Sequence, residues 1–403
     1  SISRLDWDTH ETSWDFRQNE LITLIGQSDE ELTNIEAQTK DVSGTAQGSA
    51  VSQQQPVQQH CINDAAKDIS IGSGGNVRLS DLVDKYHRKW EALFRQLHAN
   101  EEELNRQFID IYDLQDELTP DVPLDEITIL QQGEISIEKE AYIIDNDGNR
   151  LIDNDGNGFV INLAYPELEW HDDVIVKQLI SYAVGCMMGR YSIDRPGLIL
   201  ANQGDGKAEY EALVPGSRFV IDDDGIIPLM SVNNELADHI TLRFKTWLGI
   251  AFGEETLMGN INFVEQALGK RLEDYFLKGF WKDHKKMYQN RPIYWLFSSK
   301  KGAFQCIVYM HRMNAYTAEK VRTGYLLPHI EWLMARQEEL QANAANLTNR
   351  ERKEMDNIDK QITECREYHD RLHLVADRQI AFDLDDGVVV NYAKFGDVLM
   401  KLK

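Results

Sequence analysis

Cysteine is scarce and scattered. The 403-residue chain has four, Cys61, Cys186, Cys306 and Cys365, far apart and without a CxxC pair. That excludes the ligand spacing of a zinc ribbon and the framework of a disulfide-stapled small domain. Three of the four fall among helical or strand-like apolar residues and are expected to be reduced core thiols of a cytoplasmic protein. Positive charge is also short, with 42 Lys and Arg against 67 Asp and Glu, a net charge of −25. Phosphate neutralisation needs clustered cations, so this balance argues against a sequence-independent nucleic-acid coat. Solubility accounts for the acidity simply; a partner with a basic surface, or a DNA-mimicking face, would make specific use of it. No hydrophobic run is long enough for a bilayer. The most apolar one, residues 174–188 (VIVKQLISYAVGCMM), contains Lys177 and falls short of the roughly 20 residues a span requires, so a buried helix and no membrane contact are expected. No signal peptide and no initiator Met open the chain, which begins SISRLDWDTHETSWDF; a start inside a longer polypeptide is the expectation. Catalytic motifs are missing too. There is no Ser/His/Asp order and no HExxH helix, and Gly72-Ser73-Gly74-Gly75 lacks the preceding apolar strand that a cofactor loop needs. No catalytic, cofactor-binding or metal-ligating residue is assigned.

What is present suffices for a sizeable core: 42% hydrophobic residues, with eight Trp, fifteen Tyr and fourteen Phe. At this length two or three sub-domains are expected. Residues 1–78 form an acidic lead-in followed by a Gln/Ser/Gly-rich stretch at 42–60 that suits a flexible linker. Residues 79–120 are expected to be a helical hairpin. Leu79, Leu82, Val83, Tyr86, Trp90, Phe94 and Leu97 recur at helical spacing behind Ser80 as N-cap, and a break near Ala99 precedes a capping-box-like Asn100 and Glu103. Leu104, Phe108, Ile111, Tyr112 and Leu118 then continue a second helix to Pro120. Residues 121–335 are expected to be a mixed α/β region. Its strands lie around Ile127, Ile129, Ile135, Ile137, Tyr142 and Ile144, at 219–221, at 226–229 and at 303–311; its helices span 234–250 and 254–268, with another from Thr317. Residues 336–403 form a long helical hairpin and a strand-like tail, with a coiled-coil-like seam of Met355, Ile358, Ile362, Cys365, His369, Leu372 and Ala376 that packs on its own chain. The fold class is therefore α+β, predominantly helical with small mixed or antiparallel sheets.

One stretch departs from the acidic background. Residues 270–301 hold Lys270, Arg271, Lys278, Lys282, Lys285, Lys286, Arg291, Lys300 and Lys301 against Glu273, Asp274 and Asp283, interleaved with eight aromatic residues. Clustered Lys and Arg supply the phosphate contacts that set register on a duplex, and Arg in a groove reads guanine edges. An amphipathic helix with solvated lysines explains the composition equally well. Residues 153–158 (DNDGNG) match the first half of an EF-hand loop, but Ala164 stands where the bidentate acid belongs; with 145–149 (DNDGN) they suit hairpin turns, with weak calcium binding as the alternative. Asn290-Arg291-Pro292-Ile293-Tyr294-Trp295 approaches the N-P-P-Y signature of amino-methyltransferases and departs at its second position.

Seven stretches in order carry a resemblance: ISRLDWDTHETSWDF near the start, NEEELNRQFIDIYDLQDEL at 100–118, GCMMGRYSIDRPGLILA at 185–201, DDDGIIPL at 222–229, FKTWLGIAFGEETL at 244–257, FWKDHKKMYQNRPIYWLFSSKKGAFQCIVYMHR at 280–312 and DLDDGVVVNYAKFGD at 383–397. Together they resemble the C-terminal part of the PglX (BrxX) adenine-specific DNA methyltransferases of BREX phage-defence systems. The resemblance implies the target-recognition and scaffold region of an enzyme that methylates adenine N6 from S-adenosylmethionine, with cofactor and catalytic motifs in the N-terminal half of that family and not in this chain. It implies as partners double-stranded DNA, the methyltransferase half of the same protein, and other BREX proteins or a phage inhibitor. It tilts the basic island toward DNA. Lys278, Lys282, Lys285, Lys286 and Arg291 are then expected to contact phosphates or base edges, and Lys300 and Lys301 the backbone, with Tyr294 and Trp295 in the core. The alternative is a protein-interaction module that docks defence-system proteins or an inhibitor.

Overall fold

The helix that starts at Leu79 runs unbroken to Tyr112. The structure, a computed structural model, describes residues 1–33, 35, 37, 76–142, 160–230, 239–381 and 383–402. These form two units, Ser1–Ser13 with Asn19–Val176, and Trp14–Gln18 with Lys177–Lys403. The expected turns at 145–149 and 153–158, Cys61, Gly72–Gly75 and the linker at 42–60 lie outside the described residues.

The first unit contains helices α1 (Ile2–Asp8), α2 (Glu20–Ile25) and α3 (Leu79–Tyr112), and strands β1 (Ile135–Tyr142) and β2 (Val160–Trp170). The expected hairpin at 79–120 is corrected to the single helix α3 of 34 residues, followed by irregular chain. Neither Gly nor Pro occurs between 79 and 112, so the box-like Asn100 and Glu103 have no break to cap, and intrahelical bonds continue through them. The helix ends at Asp113, which adopts a left-handed conformation (φ 57°). Ser80 is not the N-cap: Arg78 holds that place without a side-chain bond, and the Ser80 hydroxyl donates to Asp81 at 3.1 Å. The N-terminal half of α3 buries Leu82, Tyr86, Trp90 and Phe94. Beside them Lys89 donates to Glu20 of α2 at 2.5 Å, an ion pair withdrawn from water. A second buried carboxylate, Glu134, meets His10 at 3.0 Å and accepts the N–H of Gln132 at 2.9 Å. Ile127 and Ile129 are buried in the loop that follows a short 3₁₀ turn at Leu124–Glu126, not in a strand. β1 and β2 pair antiparallel from Ile135↔Trp170 to Tyr142↔Val160, with an irregularity between Glu138 and Glu140.

The apolar run at 174–188 is helical as expected. It belongs to α4 (Asp172–Met187), in which the boundary between the units falls. The second unit continues with α5 (Lys207–Leu213), β3 (Ile226–Pro228), α6 (Ile240–Phe252), α7 (Leu257–Leu268), α8 (Leu272–Lys278), α9 (Phe280–Met287), β4 (Tyr294–Ser298) and β5 (Gln305–Tyr309). It closes with α10 (Thr317–Lys320), a π-helical turn (Val321–Leu326), α11 (Leu327–Ala342), α12 (Asn349–Asp377) and α13 (Gly387–Lys394). The sheet is antiparallel in the order β3–β5–β4, with every residue of its three strands buried. Short, apolar, aromatic and β-branched strands covered on both faces account for that composition. Residues 219–221 form no strand; the chain turns there, and the Asp222 N–H bonds the Met187 carbonyl at 2.8 Å.

Asp222 organises the acidic turn. Its Oδ1 accepts the backbone N–H groups of Asp224, Gly225 and Ile226 at 3.1, 2.5 and 3.0 Å, and its Oδ2 accepts from Arg243 at 3.0 Å. Arg312 closes the turn by donating to the carbonyls of Asp222 and Asp223 at 2.8 and 2.7 Å. Cys186, Cys306 and Cys365 are buried and not disulfide-bonded, and burial pushes the Cys365 thiol up to about 12.

The strand-like tail is corrected to a helix. α13 carries Val388, Val389 and Val390, but Val389 and Val390 are largely exposed and gain nothing from a sheet. Tyr392 and Phe395 decide the conformation by packing edge-on against Trp295, with centroids 5.0 and 5.7 Å away. Beyond the helix, Leu399 bridges Phe297 of β4, and the Met400 N–H bonds the Leu296 carbonyl at 2.8 Å.

Candidate nucleic-acid interface

The basic segment is built on an apolar inner layer. α8 and α9 meet at Gly279, where a Cβ would sit 2.8 Å from the Tyr275 ring, so the sharp joint needs glycine. α9 turns Phe280, Trp281 and His284 inward, while Lys282 and Lys286 face outward. The Trp281 indole N–H donates to the Tyr294 carbonyl at 3.2 Å, and the Trp295 indole N–H to that of Pro292 at 3.1 Å. Tyr294 and Trp295 are fully buried.

His284 fixes the turn that follows. Its Nε2 accepts the N–H groups of both Ile293 and Tyr294 at 3.2 Å, a role open only to a neutral ring whose proton is on Nδ1. Burial, helped by the charge of Arg190, pushes its pKa down to about 3. Between α9 and β4, Gln289 and Asn290 both adopt positive φ, 51° and 62°. Two consecutive non-glycine residues in that region form a tight, costly turn, and it presents Arg291 outward.

The seven basic residues divide by what they touch. Lys282, Lys286 and Arg291 are exposed, as are Lys300 and Lys301 on the β4–β5 turn. None of these five side chains has a carboxylate partner among the described residues. Lys278, also exposed, pairs with Asp274 at 3.0 Å. Lys285 folds back instead: it lies 5.2 Å from the Trp281 ring centroid and donates to the Leu402 carbonyl at 3.0 Å, which ties α9 to the tail. The lysine turn is closed by Gly302 (φ 79°) and fastened from α12 by Glu364, whose Oε1 accepts from the Ser299 hydroxyl and the Lys301 N–H, both at 2.6 Å. No sequence signal marks His284 or Glu364, because their partners are set by the fold.

Two other arginines are structural. Arg190 donates to the hydroxyls of Tyr191 and Tyr309 at 3.0 and 3.2 Å, and Arg195 to the Leu213 carbonyl at 2.7 Å. Among the described residues no group of three or more His, Cys, Asp or Glu side chains could hold a metal ion, and no helix is long and apolar enough to cross a membrane.

No protein-family model matches the chain. It is 31% identical over 413 aligned residues, 98% of its length, to the adenine-specific methyltransferase PglX of Lacticaseibacillus casei (strain Zhang). It is 41% identical over 255 residues, 59% of its length, to the adenine-specific methyltransferase BrxX of Escherichia coli O9:H4 (strain HS). The chain is thus PglX/BrxX-like, and the matched regions span 27% and 21% of those relatives' lengths.

Proposed function

We propose that this chain is the DNA-recognition and scaffold region of a site-specific adenine-N6 DNA methyltransferase active in phage defence. The methyl donor S-adenosylmethionine and the catalytic groups would be held by polypeptide outside this chain. The observation that carries this reading is the collinear likeness to PglX along 98% of the chain, within which an acidic protein sets three outward cations over a buried aromatic layer and two more on the adjacent β4–β5 turn. The described residues do not fit the methyl donor. None of their strand-to-helix connections is a glycine-rich turn that would bring backbone N–H groups to a nucleoside, and β2 leads into α4 through an acidic first turn. No chemical step is therefore derived from these residues.

Their work is to bind and orient. The N6 amine of adenine is hidden in the base stack, so methylation requires a grip on the duplex while one base is extruded. Lys282, Lys286, Arg291, Lys300 and Lys301 supply that grip by neutralising phosphates, and their rigid mounting limits the entropy lost on binding. Lys278 adds to it once Asp274 is displaced, and Lys285 holds the tail. The region would operate in the cytoplasm, joined to the methyltransferase half. The test is an electrophoretic shift of duplex DNA by the full chain at low and moderate salt, beside a Lys282/Lys286/Arg291→Ala variant. Binding that weakens with salt and is lost in the variant supports the reading; folded protein that binds duplex at no salt concentration overturns it for this chain.

A second reading, a module that docks other BREX proteins or a phage inhibitor, is favoured by the far end of α3. Leu104, Phe108, Ile111, Tyr112 and nearby Leu118 are 50–72% exposed there, amid Glu101, Glu103, Asp110, Asp113, Asp116 and Glu117. Such an apolar patch with a charged rim is the usual form of a protein-binding surface.

A further inference from the structure

A cleft of about 480 Å³ lies in the second unit where the β4–β5 turn faces the antiparallel pair α11 and α12. That volume is within the range of about 300–1,000 Å³ typical of small-ligand sites. On one wall stands Trp332, its ring nearly parallel to His329, with centroids 6.1 Å apart and planes at 12°. His329 is fixed in turn by a 2.9 Å bond to the Ala303 carbonyl in the lysine turn. A second wall is one face of α12: Arg350, Lys353, Asn357 and Gln361 line the cleft at spacings of three and four residues. Arg350 and Lys353 are exposed and have no carboxylate partner among the described residues. The one acid in the wall, Glu354, is engaged by Arg336 through bonds of 2.8 and 3.3 Å. A third side is Gly302 and Ala303, next to Lys300 and Lys301.

An aromatic plate, two neutral amides and two cations form a specific combination. A flat ring takes a nucleobase by stacking, and each amide offers a donor and an acceptor to a base edge. The cations suit the phosphate attached to the same base. A base still paired in a duplex has no free face to give Trp332 and cannot enter. We propose that this cleft binds one unpaired nucleotide of the DNA, with its base on Trp332, its edge at Asn357 and Gln361, and its phosphate at Arg350 and Lys353. The proposal rests on the reading of the adjacent lysine turn as DNA-facing. It adds a pocket that senses opened DNA beside the surface that holds closed DNA.

The test uses the full chain and three probes: a short duplex with one bulged 2-aminopurine, the same duplex fully paired, and free deoxyadenosine monophosphate. The expected result is about 5-fold or more tighter binding of the bulged duplex, with quenched 2-aminopurine fluorescence. Trp332→Leu should abolish both the preference and the quenching. Because Trp332 also packs on His329, an Asn357→Leu/Gln361→Leu variant on the surface of α12 provides an independent check and should abolish the preference with paired-duplex affinity unchanged. Equal affinity for bulged and paired DNA overturns the cleft while leaving the duplex grip intact. A preference that survives both variants overturns it as well, as does binding of the free nucleotide without any bulge preference. Bulge binding without paired-duplex binding would support the cleft and overturn the grip, so the two readings fail separately.

Discussion

Glu364 holds Lys301 in place from 63 residues away in sequence: one carboxylate oxygen on α12 accepts the Lys301 backbone N–H at 2.6 Å. The same oxygen takes the Ser299 hydroxyl and, at 3.3 Å, the Ala303 N–H. Hydrogen bonds to a charged acceptor contribute more than neutral ones, and removing the acceptor strands its donors. Glu364→Ala should therefore cost about 1–3 kcal/mol, with Glu364→Gln losing less because one acceptor remains. The measurement is the urea midpoint of unfolding; a midpoint equal to that of the parent protein would show that the turn is held by something else.

Acid should weaken the second unit. His284 is held at about 3 and His311 at about 4, both by burial and by the nearby charge of Arg190, and burial lowers His329 as well. An unfolded histidine titrates near 6.5, so between that pH and the folded values the unfolded chain binds more protons. The stability from these neutral rings is fully present above about pH 6.5 and is lost as pH falls from there toward the folded values of about 4 for His311 and about 3 for His284. The unfolding temperature should be flat from pH 8 to 7 and drop steadily below 6.5. His284→Phe should lower stability at neutral pH, because two backbone N–H groups lose their acceptor, and should flatten the acid limb.

Asp222 and Arg243 form a largely buried charge pair in the second unit, 3.0 Å apart. Asp222 is 1% exposed and its Oδ1 also caps three backbone N–H groups. Removing one partner of a buried pair leaves a charge without its counter-ion, a loss of about 3–5 kcal/mol. Asp222→Ala should fall in that range by chemical denaturation, and Asp222→Ala/Arg243→Met should recover part of it. A double variant no better than the single one would assign the whole effect to the lost backbone caps.

The basic residues should not contribute equally to DNA binding. Each phosphate contact removed lowers the salt slope of log K by about 0.9. Lys282/Lys286/Arg291→Ala should thus reduce the slope by about 2.7, with little change in stability. Lys278→Ala should have a smaller effect, since Asp274 already competes for its charge. Lys285→Ala should lower the unfolding temperature and leave the slope nearly unchanged. Identical slopes for all these variants would show that the partition of partnered and unpartnered lysines has no bearing on binding.

Helices with an uninterrupted apolar period, such as the run at 174–188 and the seam of α12, are legible in the sequence because one face of each is core. The break assigned near Ala99 shows the limit of local signals: a capping-box pattern marks a helix start only where something upstream stops the preceding helix, and α3 has no stop. Val388–Val390 carry strand propensity, yet the tail is helical because Tyr392 and Phe395 find Trp295, nearly a hundred residues away. The basic island is visible as composition. The inward turn of Lys285 is not, since it depends on the Leu402 carbonyl 117 residues downstream. The cleft beside the lysine turn was equally hidden, because its walls come from segments separated by loops and by the π-helical turn.

The two residues that lie along β4 have a consequence for how this protein can fail. One border of the three-stranded sheet is β3, only three residues long and bearing Pro228, which has no N–H to offer. The other border is occupied by Leu399 and Met400. Neither side presents a ladder onto which a foreign strand could add. If the tail detached, β4 would display four apolar and aromatic residues, Tyr294, Trp295, Leu296 and Phe297, along an unpaired edge, a seed for fibrillar association. Loss of a few carboxy-terminal residues would then surface first as precipitation, with the helices of the same unit still formed.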